Sequence, residues 1–270
     1  MSIKKNNNDD EPLLSEKNDK DKIVHREDLK FLLDSSYPLL HQFRELCPGT
    51  FKHSQSVASM IENIALSLGL DTVLMKVAAF YHDVGKLFNP LYFSENQLED
   101  DSNPHDVLSP DVSYNIITRH VSDTVMILVN NQNFPRDVIE IVSQHHGTTV
   151  LQYFYEKAGK GVEDTFRYKT TKPTCVESAL LMIVDRAEAT ARSMVMSNKF
   201  DLTQVIDRSI NILIEDSQLD NVVIRFGDLK KIKEALTEEL KGTYSKRIDY
   251  TKAKEGAIDN SILDNNVISE

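Results

Sequence analysis

Apolar residues recur along much of this chain at spacings of three and four, the period of an amphipathic helix. Met60, Ile61, Ile64, Ala65 and Leu68 form a clear run, and Gly69 stands where such a helix would stop. Asp71 opens a second predicted helix, which passes Ala78 and Ala79 and continues to Lys86. Ser109-Pro110 opens another around Ile116 and Ile117. Pro135 sits as a first-turn proline ahead of Val138, Ile141 and Val142, with Gly147 at the far end. Thr174 and Glu177 have capping-box spacing before Leu180, Ile183 and Val184. Asp228 opens a last helix, Leu229 to Leu240, that ends at Gly242. Alternating strand patterns are nearly absent, so the pattern predicts an all-α helical bundle.

The polar segments set the boundaries. Residues 1–24 are rich in Asn, Asp, Lys and Glu and bury little apolar surface, so they read as a disordered tail. Residues 252–270 read as a flexible C-terminal tail, and 25–251 as one domain without internal repeats. Two long loops interrupt the helices. One runs from about Phe88 to Pro110 and the other from Gly159 to Pro173, and loops of this length often carry function.

Composition narrows the function classes. The net charge of -11 argues against a duplex-binding protein, which needs clustered Lys and Arg. A small anionic substrate stays open, because bound metal ions can outweigh the surrounding charge. Cys47 and Cys175 are far apart and form no CxxC pair, which suits a reducing cytoplasm rather than a disulfide framework. No run approaches the roughly 18 apolar residues of a membrane span. The densest stretch, Val73 to Val84, is broken by Lys76, His82 and Asp83, and the first residues lack a signal-peptide pattern.

Eight histidines carry the candidate chemistry. His82-Asp83 and His145-His146 are adjacent pairs, while His53, His120 and Asp185 fall in other predicted helices. Neutral imidazole is a common metal ligand, and a carboxylate can bridge two cations. A helix brings residues three and four apart onto one face, so Lys86 would lie beside His82 and Asp83, suited to an anion bound at a metal. Each residue also has a plainer reading. His145-His146 could satisfy helix-end carbonyls. Asp185 sits among Leu180, Leu181, Ile183 and Val184, where either a metal or an exposed helix face would account for it. His25 and His41 lie outside the pattern, and His105 could touch substrate or order its loop.

Taken in order, His53, His82-Asp83, His120, His145-His146 and Asp185 resemble the HD superfamily. Within it the chain is similar to the cytosolic HD domain of the seven-transmembrane HD receptor family, whose members are cyclic di-AMP phosphodiesterases. The resemblance rests on PGTFKHSQSVASM (48–60), AAFYHDVGKLFNPLYFSENQ (78–97), NPHDVLSP (103–110), IITRHVSD (116–123), QHHGTT (144–149) and the stretch from Pro173 to Arg192. It covers about residues 36–251, including the segment DSQLDNVVIRFGDLKKIKEALTEELKGTYSKRIDY. It implies a metal-dependent phosphodiesterase that opens cyclic di-AMP to linear 5′-pApA, with two divalent metal ions sharing a hydroxide. His53, His82, Asp83, His120, His145, His146 and Asp185 would be the ligands, with Asp83 bridging. Five imidazoles and two carboxylates suit iron or manganese. Lys86 would hold a phosphate oxygen, and Arg167, Arg192 and His105 would be further substrate contacts. The membrane-spanning and extracellular regions of that family have no counterpart in these 270 residues. Either the chain is a soluble member or it is part of a longer receptor, and Met1 with its polar tail leans toward the former. Thr124 stands where the family has glycine, and Lys169-Thr170-Thr171 replaces a glycine- and proline-rich turn. Both changes would lie beside the substrate cleft and bear on which nucleotide it accepts.

Two other functions fit parts of the pattern. A mononuclear HD nucleotidase acting on mononucleotides would need only His53, His82, Asp83 and Asp185, and would leave three imidazoles idle. A non-catalytic module that binds a nucleotide would be marked by a lost ligand, and no ligand position is lost here.

Overall fold

Asp71 shows how locally the helices are specified. Its carboxylate accepts the backbone N–H groups of Val73 (2.9 Å) and Leu74 (3.0 Å), so a helix starts where its cap residue stands. A computed structural model describes residues 26–97 and 102–263, the part from 245 onward as helix backbone. After a 3-10 segment at Glu27–Leu33 the helices are α1 (Pro38–Leu46), α2 (Pro48–Leu68), α3 (Thr72–Tyr81), α4 (Pro110–Asn130), α5 (Arg136–Ser143), α6 (Gln152–Lys157), α7 (Val176–Met196), α8 (Leu202–Glu215) and α9 (Phe226–Leu263). Among the described residues there is no strand, and one backbone bridge joins Val150 to Arg167. The all-α bundle expected from the sequence is therefore the fold.

Helix α2 runs through the middle, against α3, α7 and α9. Ile61, Ile64, Met75, Leu180, Ile183 and Leu236 are fully buried between them. Each such side chain contributes about 1.5–3 kcal/mol relative to exposure, which holds helices that would be marginal in isolation.

Tertiary contacts move several predicted boundaries. The helix from Asp71 stops at Tyr81, not Lys86, and Val84–Phe88 forms a 3-10 turn. The cause is Thr124 on α4. Its hydroxyl accepts the Gly85 N–H (2.8 Å) and donates to the His82 carbonyl (3.2 Å), so the bonds that would extend α3 go elsewhere. A side chain on Gly85 would meet the His120 carbonyl oxygen at 2.1 Å, so only glycine lets α4 come this close. Helix α5 begins one residue after Pro135, and Gly147 lies beyond its end in the turn that follows. The capping box of α7 is Cys175 with Ser178, not Thr174 with Glu177. Thr174 instead bonds the Gln144 side chain through its backbone N–H (2.9 Å).

The largest difference is at the C-terminus. Helix α9 passes through Gly242 to Leu263, so much of the stretch expected as a flexible tail is helix. Glycine in a helix interior costs only about 1 kcal/mol. Leu236, Leu240 and Tyr244 lie four apart and are all fully buried, and that stripe carries the helix across the glycine. The tail expected at 1–24 lies outside the described residues, as do residues 264–270. The described parts of the loop after Phe88 form single 3-10 turns at Pro90–Tyr92, Ser94–Asn96 and Pro104–Asp106.

Replacing Thr124 by Val keeps the shape and leaves the buried Gly85 N–H without an acceptor. T124V should lower the unfolding free energy by about 1–3 kcal/mol in urea denaturation of metal-free protein. An unchanged midpoint would show that this hydroxyl does not hold the turn after α3.

Candidate metal centre

The candidate ligands come from five separate segments of the bundle. His53 stands on α2, His82 at the end of α3 with Asp83 next to it, His120 on α4, His145 and His146 just after α5, and Asp185 on α7. His53 and Asp185 are 132 positions apart in sequence, yet His53 Nε2 is 2.9 Å from Asp185 Oδ1.

Helix backbone fixes the tautomer of three of the imidazoles. Nδ1 of His82 donates to the Ala79 carbonyl (2.7 Å), Nδ1 of His120 to Ile117 (2.6 Å) and Nδ1 of His145 to Val142 (2.6 Å). A carbonyl oxygen can only accept, so Nδ1 carries the proton and Nε2 of a neutral ring offers its lone pair. All three Nε2 atoms face Asp83. Oδ2 of Asp83 is 3.4 Å from His82, while Oδ1 is 3.2 Å from His120 and 3.8 Å from His145. The donor atoms thus fall into two groups that share Asp83, one with His53 and His82, the other with His120, His145 and His146. Asp185 spans the same gap, with Oδ1 3.6 Å from His82 Nε2 and Oδ2 4.0 Å from His146 Nδ1.

The cluster fits cations. Oδ1 of Asp83 and Nε2 of His82 are buried and have no hydrogen-bond partner. Buried polar atoms left this way are costly, and a cation held by each group would satisfy them. The protonation tendencies divide along the same line. Burial, then neighbouring His82, pushes His145 down to about 3, and burial with His145 and His120 holds His146 well below the usual imidazole range. Burial also opposes charge on His82, but Asp83 and Asp185 outweigh it and carry its pKa up to about 10. His53 is likewise raised by its bonds to Asp185 and Glu188, against burial. Asp83 and Asp185 sit well below the usual carboxylate range, because their cationic neighbours overcome the cost of burial.

The expected substrate contacts fare unevenly. Lys86 lies near Asp83 as expected, but through the 3-10 turn rather than an α-helical face. Its ammonium bridges Asp83 Oδ2 (2.8 Å) and Glu95 Oε1 (2.7 Å), which takes up two of its three N–H donors. Arg167 is also committed elsewhere. Its guanidinium grips Asp216 in bidentate fashion (3.0 and 2.7 Å) and donates to Glu163, which ties its segment to the end of α8. His105 is buried against Tyr92 and Phe154 and bonds the Tyr92 carbonyl (2.9 Å), so it orders its loop. Arg192 is partly exposed and pairs with Glu188, its Nε 3.5 Å from Oε2. With Lys52 and His53 it lines a cleft of about 270 Å³ beside the cluster. The departures from the expected pattern are placed as well. Thr124 is fully buried beneath the His82-Asp83 turn, not in a cleft. Thr170 donates to the Gly147 carbonyl (2.5 Å) and so braces the turn that follows His146.

Sequence reasoning assigned no role to four residues that the fold brings to the site. Glu188 accepts from His53 Nδ1 and from the Tyr244 hydroxyl (2.7 Å), which orients the imidazole. Tyr168 stacks on His146, with ring centres 4.4 Å apart. Glu95 is the fourth, as the second partner of Lys86. Glu188 was open to detection, since it stands three residues after Asp185 on one helix face. Glu95, Tyr168 and Tyr244 reach the site only through tertiary folding.

Asp83→Ala should lose bound metal, because both donor groups are built on that carboxylate. His105→Ala should keep it. Metal per chain by plasma mass spectrometry checks both, and retention of full metal content by the Asp83 variant would remove the shared carboxylate from the centre.

Residues 50–190 match the HD domain family. The chain is 37% identical over 226 residues to the cyclic-di-AMP phosphodiesterase PgpH of Bacillus subtilis, covering 82% of this chain and 32% of that protein. It is 39% identical over 228 residues to PgpH of Listeria monocytogenes, covering 83% of this chain and 32% of that protein. The chain therefore spans about a third of the length of these curated relatives (32% of each). The crystal structure of the L. monocytogenes PgpH HD domain superimposes with a TM-score of 0.72 at 40% identity, over 77% of this chain and 99% of that one. The same domain in complex with cyclic-di-AMP gives 0.71 at 39% identity, over 77% of this chain and 97% of that one. No helix among the described residues is long and apolar enough to cross a membrane. The chain belongs to the HD domain family.

Proposed function

We propose that this domain is a metal-dependent phosphodiesterase that hydrolyses a cyclic dinucleotide, opening cyclic di-AMP to linear 5′-pApA. We assign His53, His82, Asp83, His120, His145, His146 and Asp185 as ligands of two divalent cations, iron or manganese. The observation that carries this reading is the division of Asp83, with one oxygen toward His82 and the other toward His120 and His145. A mononuclear site would use only the first group, and here the second is equally assembled around the shared carboxylate.

Two such cations, when bound, would polarise phosphoryl oxygens and make water a nucleophile at neutral pH. The protein's own part is positional. Backbone carbonyls hold the rings of His82, His120 and His145 with Nε2 inward. Glu188 does the same for His53, and Tyr168 backs His146. Lys52 and Arg192 in the adjoining cleft suit the phosphates of an anionic substrate. The adenine assignment draws on the relatives, which are named for cyclic-di-AMP, and on the related domain that binds it. Burial of Thr124 beneath the cluster supports it too, because that departure then leaves the cleft unaltered. Two free cysteines suit a reducing cytoplasm.

Anaerobically purified protein should carry about two metal ions per chain, as a two-metal site requires. It should convert cyclic di-AMP to the linear diadenylate and turn over cyclic di-GMP and mononucleotides more slowly. One metal with mononucleotide turnover would overturn the reading, and so would tight binding without turnover in either metal.

A further inference from the structure

We infer that Glu95 is a positioning residue for the metal centre: it shares the Lys86 ammonium with Asp83, so that Asp83 keeps its charge for cations. This rests on the metal-centre reading above and concerns a residue outside the ligand set.

The geometry makes the sharing explicit. Lys86 Nζ lies 2.8 Å from Asp83 Oδ2 and 2.7 Å from Glu95 Oε1, and the Phe93 ring covers it at 4.7 Å. All three charged side chains are nearly buried. An ammonium buried with one carboxylate would pair with it fully, and a neutralised carboxylate is a poor cation ligand. With two carboxylates around one ammonium, the trio keeps a net charge of about -1 beside the histidine groups.

Glu95 is held in place independently of Lys86. The Ser94–Asn96 turn is clamped onto the first turn of α2, the helix that carries His53. Asn96 Oδ1 accepts the Thr50 N–H (3.0 Å), Asn96 Nδ2 donates to Thr50 Oγ1 (2.8 Å), and Thr50 Oγ1 donates to Glu95 Oε1 (3.0 Å). A side chain on Gly49 would stand 1.7 Å from the Glu95 carbonyl oxygen, so glycine is what lets the turn seat here. The clamp presents a carboxylate to Lys86 from a segment separate from the one that carries Asp83.

Calorimetric titration of metal-free protein with Mn²⁺ tests the inference on wild type, E95Q and the double variant K86M/E95Q. E95Q removes the charge and keeps the shape, and should weaken Mn²⁺ binding about 10- to 100-fold, the range for partners that orient a metal ligand. The double variant removes the ammonium as well, and should recover most of that loss. Thermal unfolding without metal confirms that each variant folds. Binding by E95Q equal to wild type would overturn the inference. So would a double variant as weak as E95Q, since Glu95 would then merely anchor the turn through Thr50. Absence of Mn²⁺ binding by wild type itself would instead sink the metal-centre reading, and is told apart by that control.

Discussion

Two carboxylates, Asp83 and Asp185, are buried near the middle of a helical bundle, where water cannot screen them. Holding them there is the constraint that the rest of the site answers. Charge of one sign in a low-dielectric interior is tolerated only with partners, and the bundle supplies five imidazoles around it. Both carboxylates turn one oxygen to each side, so the donor atoms fall into two groups that share them.

The helices do more than carry these side chains. At three histidines the carbonyl three residues earlier accepts the Nδ1–H hydrogen bond, so local helix geometry fixes both the tautomer and the direction of the ring. Where no carbonyl serves, a carboxylate does, as Glu188 does for His53. Glu188 is in turn held by Tyr244 from α9, which links the last helix of the bundle to the centre. Core packing and metal geometry are therefore one problem here: the stripe that carries α9 past Gly242 ends on the tyrosine that steadies Glu188.

The close approach of α4 to the His82-Asp83 segment is the other structural decision. Gly85 removes the side chain that would block it, and Thr124 supplies the hydrogen bonds that end α3. The chain then turns through a 3-10 segment, whose i, i+3 neighbours eclipse, and this sets Lys86 against Asp83. Across that contact Glu95 meets the same ammonium, so the charge at Asp83 depends on a loop as much as on its helix.

By itself the sequence determined the all-α class, the helix starts marked by Asp71 and Ser109, and the identity of the candidate ligands. These are local signals: a cap side chain, an apolar period, and an ordered set of His and Asp residues. Only the tertiary structure decided where α3 stops and how far α9 runs, because a hydroxyl on α4 and a buried stripe override the local stop signals. It also decided what the cationic side chains touch. Lys86 and Arg167 are alike in sequence as candidates for holding phosphate, and both are bound to carboxylates that lie far away along the chain or on a loop. Glu95, Tyr168 and Tyr244 went unassigned for the same reason. A supporting residue is recognised by what it touches, and what it touches is fixed by packing between distant segments rather than by spacing along one.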